Sequence, residues 1–295
     1  MAITEKLRKC KTEIKYILVK CLPKRMAHSI IYYTSHKTRW NYKNPVTFDE
    51  KIHWLSVYVY DEKYSRYADK YLVREYVKEC GLEHLLVLMY GVYDKFSDID
   101  FSKLPDNFIL KATHASGETY YDICRDKKNY DYERARKKFD YALKHKYSNR
   151  ITREYHYAGI VPRIICEELF PSPPGQERVD DYKVICSFGK PIAVMVCTDR
   201  DNGRDFYSTE WEYLDYVKPE YRSHKIHEKP EILETMLDAA SRLSRIFPLA
   251  RVDFYIIRNR LYFGEITLTP YAGNHSILNE KGQIEMGRQV SLRKE

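Results

Sequence analysis

The most informative stretch of this chain is ARVDFYIIRNRLYFGEITLTP, residues 250–270. Two runs rich in β-branched and aromatic residues, Ala250–Ile257 and Leu261–Leu268, flank a short polar connection, a pattern typical of an antiparallel hairpin. Because side chains alternate between the two faces of a strand, Arg251, Asp253 and Tyr255 should share one face. By the same rule Glu265 and Thr267 share a face of the partner strand.

The two acids of this hairpin are candidate metal ligands. Carboxylates that meet across a hairpin repel each other unless a positive charge lies between them. Mg²⁺ takes oxygen ligands of this kind, usually together with substrate phosphates. The alternative that the residues leave open is an Arg–Asp–Glu salt-bridge cluster on a solvated sheet face.

Two lysines inside apolar strands form a second group of candidates. Lys111 lies in Phe108-Ile-Leu-Lys-Ala-Thr, and Lys183 follows Asp180-Asp181. Burying an unpaired charge is costly, so each lysine should face an anion or a carboxylate. The turn after Lys111, His114-Ala-Ser-Gly-Glu, can present backbone N–H groups to a phosphate. A structural salt bridge and an ordinary turn remain equally open.

The order of the elements predicts an α+β fold rather than a doubly wound parallel sheet. The predicted strands are Leu85–Met89, Phe108–Thr113, Tyr120–Cys124, Arg163–Glu168, Tyr182–Phe188, Pro191–Cys197, Ala250–Ile257 and Leu261–Leu268. The predicted helices are a basic amphipathic one over residues 4–22, one starting at a Thr47 capping box, one over 64–80 ended by Gly81, and two at about 131–146 and 230–246. Residues 24–45 should form a loosely helical connector.

Charge is distributed unevenly over the 295 residues. Residues 1–45 contain 11 Lys or Arg and two acids, a net charge of +9, whereas the remaining 250 residues carry −1. The protein is therefore expected to be a nearly neutral body with a basic N-terminal segment. We expect that segment to attach to an anionic membrane surface, an acidic partner or glycan-assembly machinery; a basic helix packed on the body is the alternative.

Composition excludes several classes of protein. A hydrophobic content of 44% with only 11 Gly and 12 Pro excludes wholesale disorder and collagen-like repeats. No window approaches the roughly 20 apolar residues that a membrane crossing needs, and the N-terminus lacks an uninterrupted signal-peptide core, so a cytoplasmic location is expected. The seven cysteines form no C-x-x-C pair, which favours reduced, buried thiols.

In their order along the chain, these motifs resemble the TupA-like (teichuronopeptide biosynthesis) branch of the ATP-grasp superfamily. The resemblance extends from about Phe48 to Pro270. It rests on Phe48-Asp-Glu-Lys-Ile-His-Trp-Leu, Ala68-Asp-Lys70-Tyr-Leu-Val-Arg74, Leu110-Lys-Ala-Thr-His114-Ala-Ser-Gly117, Arg163-Ile-Ile-Cys-Glu-Glu168, Asp181-Tyr-Lys183, Arg251-Val-Asp253 and Phe263-Gly-Glu-Ile-Thr-Leu-Thr-Pro270.

The resemblance implies an ATP site between two α+β lobes. It divides the chain into a basic helical segment, 1–47, and a catalytic region, 48–295, with a smaller nucleotide-covering lobe at about 85–165 and a larger metal-holding lobe at about 166–295. The implied phosphate contacts are Lys70 and Lys111, with Ser116 and Gly117 in a turn that closes over the phosphates. Lys183 would be a further phosphate or ribose contact. The implied adenine hinge is Glu167, Glu168 and Leu169.

The resemblance also implies the reacting groups. Asp253 and Glu265 would hold Mg²⁺, and Arg251 would neutralise the transferring phosphoryl group. Thr267 occupies a position where many superfamily members have Asn, so it would supply only a hydroxyl to the metal. His114 and His275 are candidate bases by pKa class, although a lone histidine is more often a packing residue.

The implied activity is an ATP- and Mg²⁺-dependent carboxylate–amine ligase that forms an amide through an acylphosphate. Its acceptor would be a small molecule or glycan of a cell-surface polysaccharide, such as a uronic acid or an amino acid joined to one. Three alternatives remain: a sugar kinase or phosphotransferase that uses the same nucleotide site, a non-catalytic glycan- or membrane-associated module, and nucleic-acid binding. The last is the weakest, because no known nucleic-acid motif is present.

The charge distribution predicts the effect of an N-terminal deletion. Removal of residues 1–22 should weaken binding to anionic liposomes in a sedimentation assay, because the predicted amphipathic helix and six of the eleven basic residues are lost, while ATP binding is unchanged. Equal liposome binding by the full and shortened chains would refute the membrane attachment.

Overall fold

The computed structural model describes residues 21–145, 152–171, 179–198, 203–223, 225–274 and 277–293. The helix predicted over residues 4–22 lies almost wholly outside these ranges, and His275 lies outside them too. Within the described parts of the chain, no helix is long and apolar enough to cross a membrane.

Two antiparallel sheets form the framework, which confirms the predicted α+β class. The smaller has the strand order β1-β4-β2-β3 and the larger the order β10-β9-β5-β6-β7-β8. The strands are β1 Met89–Tyr93, β2 Phe108–Ala112, β3 Tyr121–Cys124, β4 Ile164–Glu167, β5 Asp181–Ser187, β6 Lys190–Cys197, β7 Arg204–Tyr207, β8 Tyr213–Leu214, β9 Ala250–Ile257 and β10 Arg260–Thr267. All the strand pairs among them are antiparallel.

Helices cover the faces of both sheets. They are α1 Lys24–His36, α2 Phe48–Tyr58, α3 Ser65–Ala68, α4 Val73–Glu79, α5 Tyr132–Lys144, α6 Leu233–Ser244 and α7 Glu280–Gln289. One hydrophobic cluster joins α2, α4, α6 and α7 to the larger sheet, and a smaller cluster joins α5 to the other sheet. The described cysteines are all free; Cys124, Cys166 and Cys186 are buried, whereas Cys21 is exposed.

Two sequence predictions about elements were wrong. The helix expected over 64–80 is divided into α3 and α4, because the Asp69 carboxylate accepts hydrogen bonds from the backbone N–H groups of Tyr71 and Leu72 and turns the chain. The apolar run Leu85–Met89 ends a 3₁₀ turn, and the strand starts only at Met89. In addition, the connector after Pro23 contains the regular helix α1, while β7, β8 and α7 were not predicted.

The hairpin β9–β10 contains a bulge at Gly264. Pairing runs from Phe263 opposite Phe254 directly to Glu265 opposite Asp253. A Cβ at Gly264 would lie 3.0 Å from the Asp253 carbonyl oxygen, so the close backbone approach favours glycine here. The extra residue moves Glu265 onto the face of Asp253 while Phe263 stays in the core.

The Thr47 capping box is present and predicts a measurable loss of stability. Thr47 Oγ1 accepts a hydrogen bond from the Glu50 backbone N–H, and the Glu50 carboxylate accepts one from the Thr47 N–H. Thr47→Ala should lower the free energy of unfolding by about 1 kcal/mol, measured by denaturant titration. Thr47→Ser keeps the acceptor and is the control; equal stability of the two variants would contradict this role.

Candidate active site

A cavity of about 310 Å³ lies between the two sheets. The smaller sheet contributes residues of β2 and of the turn after it, and the larger sheet contributes residues of β5, β9 and β10. Nine residues predicted from the sequence line it: Lys70, Lys111, Ser116, Gly117, Glu168, Leu169, Lys183, Asp253 and Glu265. Segments that are far apart in sequence therefore meet at one place.

The hairpin carboxylates are held by a guanidinium. Arg251 donates from Nε and Nη2 to the two oxygens of Asp253, at 2.7 and 2.8 Å, and from Nη2 to Glu265 Oε1 at 3.2 Å. Because burial alone would lower the pKa of Arg251, it is the two carboxylates that keep this pKa above its ordinary value. The salt-bridge cluster considered in the sequence is thus present, but on the wall of a cavity rather than on an open sheet face.

Two lysines complete this charged wall. Lys183 Nζ lies 2.6 Å from Asp253 and 3.3 Å from Asp181. Lys70 Nζ lies 3.1 Å from Glu265 and donates to the Ala115 carbonyl oxygen at 3.0 Å. The helix break at Asp69 explains the position of Lys70, because the Lys70 backbone leaves the helix and donates its N–H to the Thr113 carbonyl oxygen.

The third lysine is positioned from the smaller sheet. Lys111 Nζ lies 2.8 Å from Glu167, whose other oxygen is 3.0 Å from Arg74. Burial would lower the pKa of Lys111, but Glu167 outweighs it and raises this pKa. Arg74 is itself fixed by a hydrogen bond to the Val87 carbonyl, so the Lys111 ammonium is held at the end of a chain of buried contacts.

These contacts determine the ionisation of the acids. Burial alone would raise the pKa of Glu265, yet Lys70, Arg251 and Lys183 together hold it well below the ordinary value. The pKa of Asp181 is raised, chiefly by burial, despite the opposing effect of Lys183. Glu265 is therefore a carboxylate at any pH near neutrality, and incoming phosphates or a cation would compete with existing ion pairs.

Part of the cavity lining is apolar. Val87, Ile109, Ile123, Leu169 and Phe170 line it. Glu168 donates its backbone N–H to the Leu88 carbonyl oxygen at 2.9 Å, which fixes the start of the segment after β4. A flat apolar group could lie here with its polar edge toward the backbone of residues 168–170.

The turn after β2 forms the cavity's rim at Ser116 and Gly117. Gly117 has a φ of +97° and no atom within 4 Å of an added Cβ, so conformation rather than space favours glycine there. A turn of this kind can present backbone N–H groups to an anion.

Four predicted residues lie outside the cavity lining. His114 is buried with Nε2 near the Ala142 and His145 carbonyl oxygens, at 3.1 and 3.3 Å, so it holds the end of α5. The Glu167 carboxylate pairs with Lys111 and Arg74, while Glu168 and Leu169 of the predicted hinge line the cavity. Thr267 accepts from Arg251 and donates to Glu265. With Arg251, Thr267 orients the carboxylates from behind.

Sequence reasoning missed Arg74, Asp181, Phe170 and Tyr255 as site residues. Tyr255 had been placed on the face of Asp253 without a role, and it lines the cavity. Arg74 stood in a motif of the family resemblance without a role, and its partner Glu167 is 93 positions away. Only the pairing of distant segments makes these residues recognisable.

The donor set fits Mg²⁺ held jointly with a substrate. Within the ranges that the structure describes, no group of three or more His, Cys, Asp or Glu side chains could hold a metal ion alone. Asp253 and Glu265 supply two carboxylates, and Mg²⁺ is usually bound by one or two carboxylates plus phosphate oxygens and water.

Comparison with known protein families supports this arrangement. The model of the TupA-like ATPgrasp family matches residues 50–291. The chain belongs to the TupA-like ATP-grasp family. The match includes all three lysines, both sheets and the β9–β10 hairpin, and ends before the last four residues. No match was found among curated proteins.

Solved structures similar to this TupA-like chain include D-alanine–D-alanine ligase from Helicobacter pylori, with 16% identity, a TM-score of 0.42, and coverage of 85% of this chain and 63% of that one. L-amino acid ligase from Bacillus licheniformis has 13% identity and a TM-score of 0.47, covering 78% and 51%. An ADP complex of N5-carboxyaminoimidazole ribonucleotide synthetase has 16% identity and a TM-score of 0.45, covering 72% and 48%. The chain thus spans about half to two thirds of their lengths.

The lowered pKa of Glu265 predicts a pH-dependent stability difference. A carboxylate with a depressed folded-state pKa stabilises the protein above its unfolded value, near 4.5, and this contribution is lost as pH falls toward the folded value. Glu265→Gln should therefore lower Tm at pH 7, and the difference from wild type should narrow below about pH 4.5.

Glu228→Gln is the matched control, since Glu228 is exposed and forms no ion pair among the described residues. It should show little difference at any pH. A Tm difference for Glu265→Gln that is constant from pH 7 to pH 3 would contradict the electrostatic explanation.

Proposed function

We propose that this protein is an ATP- and Mg²⁺-dependent carboxylate–amine ligase. The observation that carries the proposal is the convergence of Lys70, Lys111 and Lys183 with the carboxylates of Asp253 and Glu265 in one cavity. Family membership supports the use of ATP. The cavity supports it chemically, because its lining combines apolar side chains with partly buried cations.

Each group has a task in this reaction. The three ammonium groups would neutralise the nucleotide phosphates, and the backbone around Ser116 and Gly117 would close over them. Asp253 and Glu265 would hold Mg²⁺, which would neutralise phosphoryl oxygens when bound. Arg251 would keep both carboxylates oriented. The residues 168–170 would receive the adenine ring.

The overall chemistry joins two substrates. A carboxylate oxygen attacks the γ-phosphorus of ATP and ADP leaves, which gives an acylphosphate. A neutral amine then attacks the acyl carbon, phosphate leaves and an amide forms. The resemblance to teichuronopeptide biosynthesis proteins supports a uronic acid, or an amino acid joined to one, as the acceptor in a cell-surface polysaccharide or its precursor.

We extend the proposal to residues 1–45 as an attachment segment at the inner face of the membrane or at a glycan-assembly complex. The visible part of that segment supports it. Helix α1 exposes Met26, Ile30 and Tyr33, spaced four and three residues apart on one face, with Lys24 and Arg25 beside them. An apolar face with basic flanks suits an anionic lipid surface.

Nucleotide binding tests the site directly. ATP with Mg²⁺ should raise the Tm of wild type by a few degrees at saturation, in keeping with about 2.7 kcal/mol at a hundredfold excess over Kd. The rise should be lost in Asp253→Asn and Glu265→Gln, because the carboxylates that these substitutions remove would hold the metal. Asp94→Asn removes an exposed acid on the smaller lobe and should behave as wild type. An undiminished rise in all variants would refute the assignment.

Product analysis tests the reaction class. With ATP, Mg²⁺ and hydroxylamine as the amine, a ligase converts a uronic acid to its hydroxamate, detected by mass spectrometry, and the rate should fall about 100-fold or more in Glu265→Gln. A stable phosphorylated sugar without any hydroxamate would establish the kinase alternative instead.

A further inference from the structure

A second concavity, which we call the basic groove, lies away from the active site. Its volume is about 980 Å³. Five cations line it. They are Lys43 in the connector before α2, Lys51 in α2, Lys190 at the start of β6, Arg288 near the end of α7 and Arg293 after it. No acid is among its described lining residues.

The cations of the basic groove are not neutralised by carboxylates of the described residues. Exposed cations such as Arg66, Lys78 and Arg136 are paired with nearby glutamates. None of the five groove cations forms an ion pair with another described residue, although Lys51 donates to the Val290 carbonyl oxygen at 2.6 Å. Like charges gathered in a concave surface raise the local positive potential and attract anions.

Groups suited to a sugar lie between these cations. Trp54 is partly buried in the wall and can present an aromatic face, as in sugar stacking. Asn44, Gln289 and Ser291 also line the groove, and their side chains can exchange hydrogen bonds with hydroxyl groups. A concave surface with a volume of about 980 Å³ can contact an extended soluble chain from several sides, whereas a flat membrane surface would meet only its edges.

The basic groove is separate from the catalytic cavity. Strand β5 connects the two, with Lys183 in the cavity and Ser187 in the groove. Four residues of extended strand span roughly 13 Å. A molecule in the groove therefore does not occupy the nucleotide site.

We infer that the basic groove binds a carboxylate-bearing oligosaccharide, at a site additional to the catalytic one. Its cations pair with the sugar carboxylates, Trp54 packs against a sugar ring, and the amide side chains contact hydroxyl groups. The choice of an acidic glycan as the ligand rests on the proposed function, whereas the assignment of the groove as an anion-binding site does not. Such a site would hold an acidic polymer on the enzyme between successive reactions at the cavity.

The test uses a galacturonic acid hexamer as probe, without ATP, and follows Trp fluorescence and calorimetry on the full chain. Wild type should bind the hexamer, more weakly as NaCl is raised, and should not bind a maltohexaose control. The double reversal Lys190→Glu/Arg288→Glu should raise Kd by about tenfold or more. Trp54→Phe should abolish the fluorescence change, since Trp40 and Trp211 lie outside the groove lining.

Lys137→Glu/Lys144→Glu makes the same charge change on exposed positions of α5 and should bind as wild type. All variants should unfold in a single transition near the wild-type Tm without ATP, which shows that they are folded. Hexamer binding unaffected by the Lys190/Arg288 reversal would overturn the inference. So would binding of a single-stranded oligonucleotide or of anionic vesicles through these cations when the hexamer does not bind.

The two proposals fail separately. If hexamer binding depends on the groove but ATP with Mg²⁺ gives no Tm rise and no hydroxamate, the ligase proposal is wrong and the groove assignment stands. If the ATP results hold and the hexamer does not bind, only the groove assignment is wrong.

Discussion

The contact on which the site depends is the buried guanidinium of Arg251 between Asp253 and Glu265. Two carboxylates directly opposite each other on adjacent strands would repel strongly in an apolar setting. Arg251 removes that repulsion, and its planar fork fixes the orientation of both acids. Arg251 does not line the cavity, whereas both carboxylates do, and Lys183 and Lys70 pair with them there.

The same principle operates in the smaller sheet with the charges reversed. There a carboxylate, Glu167, lies between two cations, Arg74 and Lys111. Both networks place one buried charge behind the residue that faces the cavity. The charged side chains of the cavity are thus already paired with other protein groups. Binding of an anion or a cation would exchange these ion pairs for new ones and would not require the desolvation of free charges.

The strands and the hairpin chemistry were predictable because period-two alternation is a local signal. Ala250–Ile257 was predicted with its observed bounds, and Glu265 and Thr267 were placed on one face. The bulge was not predicted, although the sequence contains its signal: core positions at 261 and 263 resume at 266 and 268, a shift of one at Gly264. By contrast, a continuous apolar run such as Leu85–Met89 indicates burial without specifying a strand.

Other features depend on contacts that no local pattern contains. The division of the 64–80 helix follows from a side-chain cap by Asp69 together with the pairing of Lys70 to Thr113, 43 positions away. Likewise, the inward orientation of His114 is set by the end of α5. Its type and its position beside a turn suggested a base, while packing gave it a structural role.

Lys70 differs from Arg251 and Glu167 because it contacts residues of both sheets. Its ammonium contacts Glu265 on the larger sheet and the Ala115 carbonyl oxygen in the turn after β2 of the smaller sheet. A single side chain in the cavity lining thus connects the two sheets. A phosphate that bound this ammonium would compete with Glu265 and with the Ala115 carbonyl oxygen for it. An anion bound by Lys70 would therefore change the contacts between the turn after β2 and the hairpin β9–β10 at the same time as it changed the charge in the cavity.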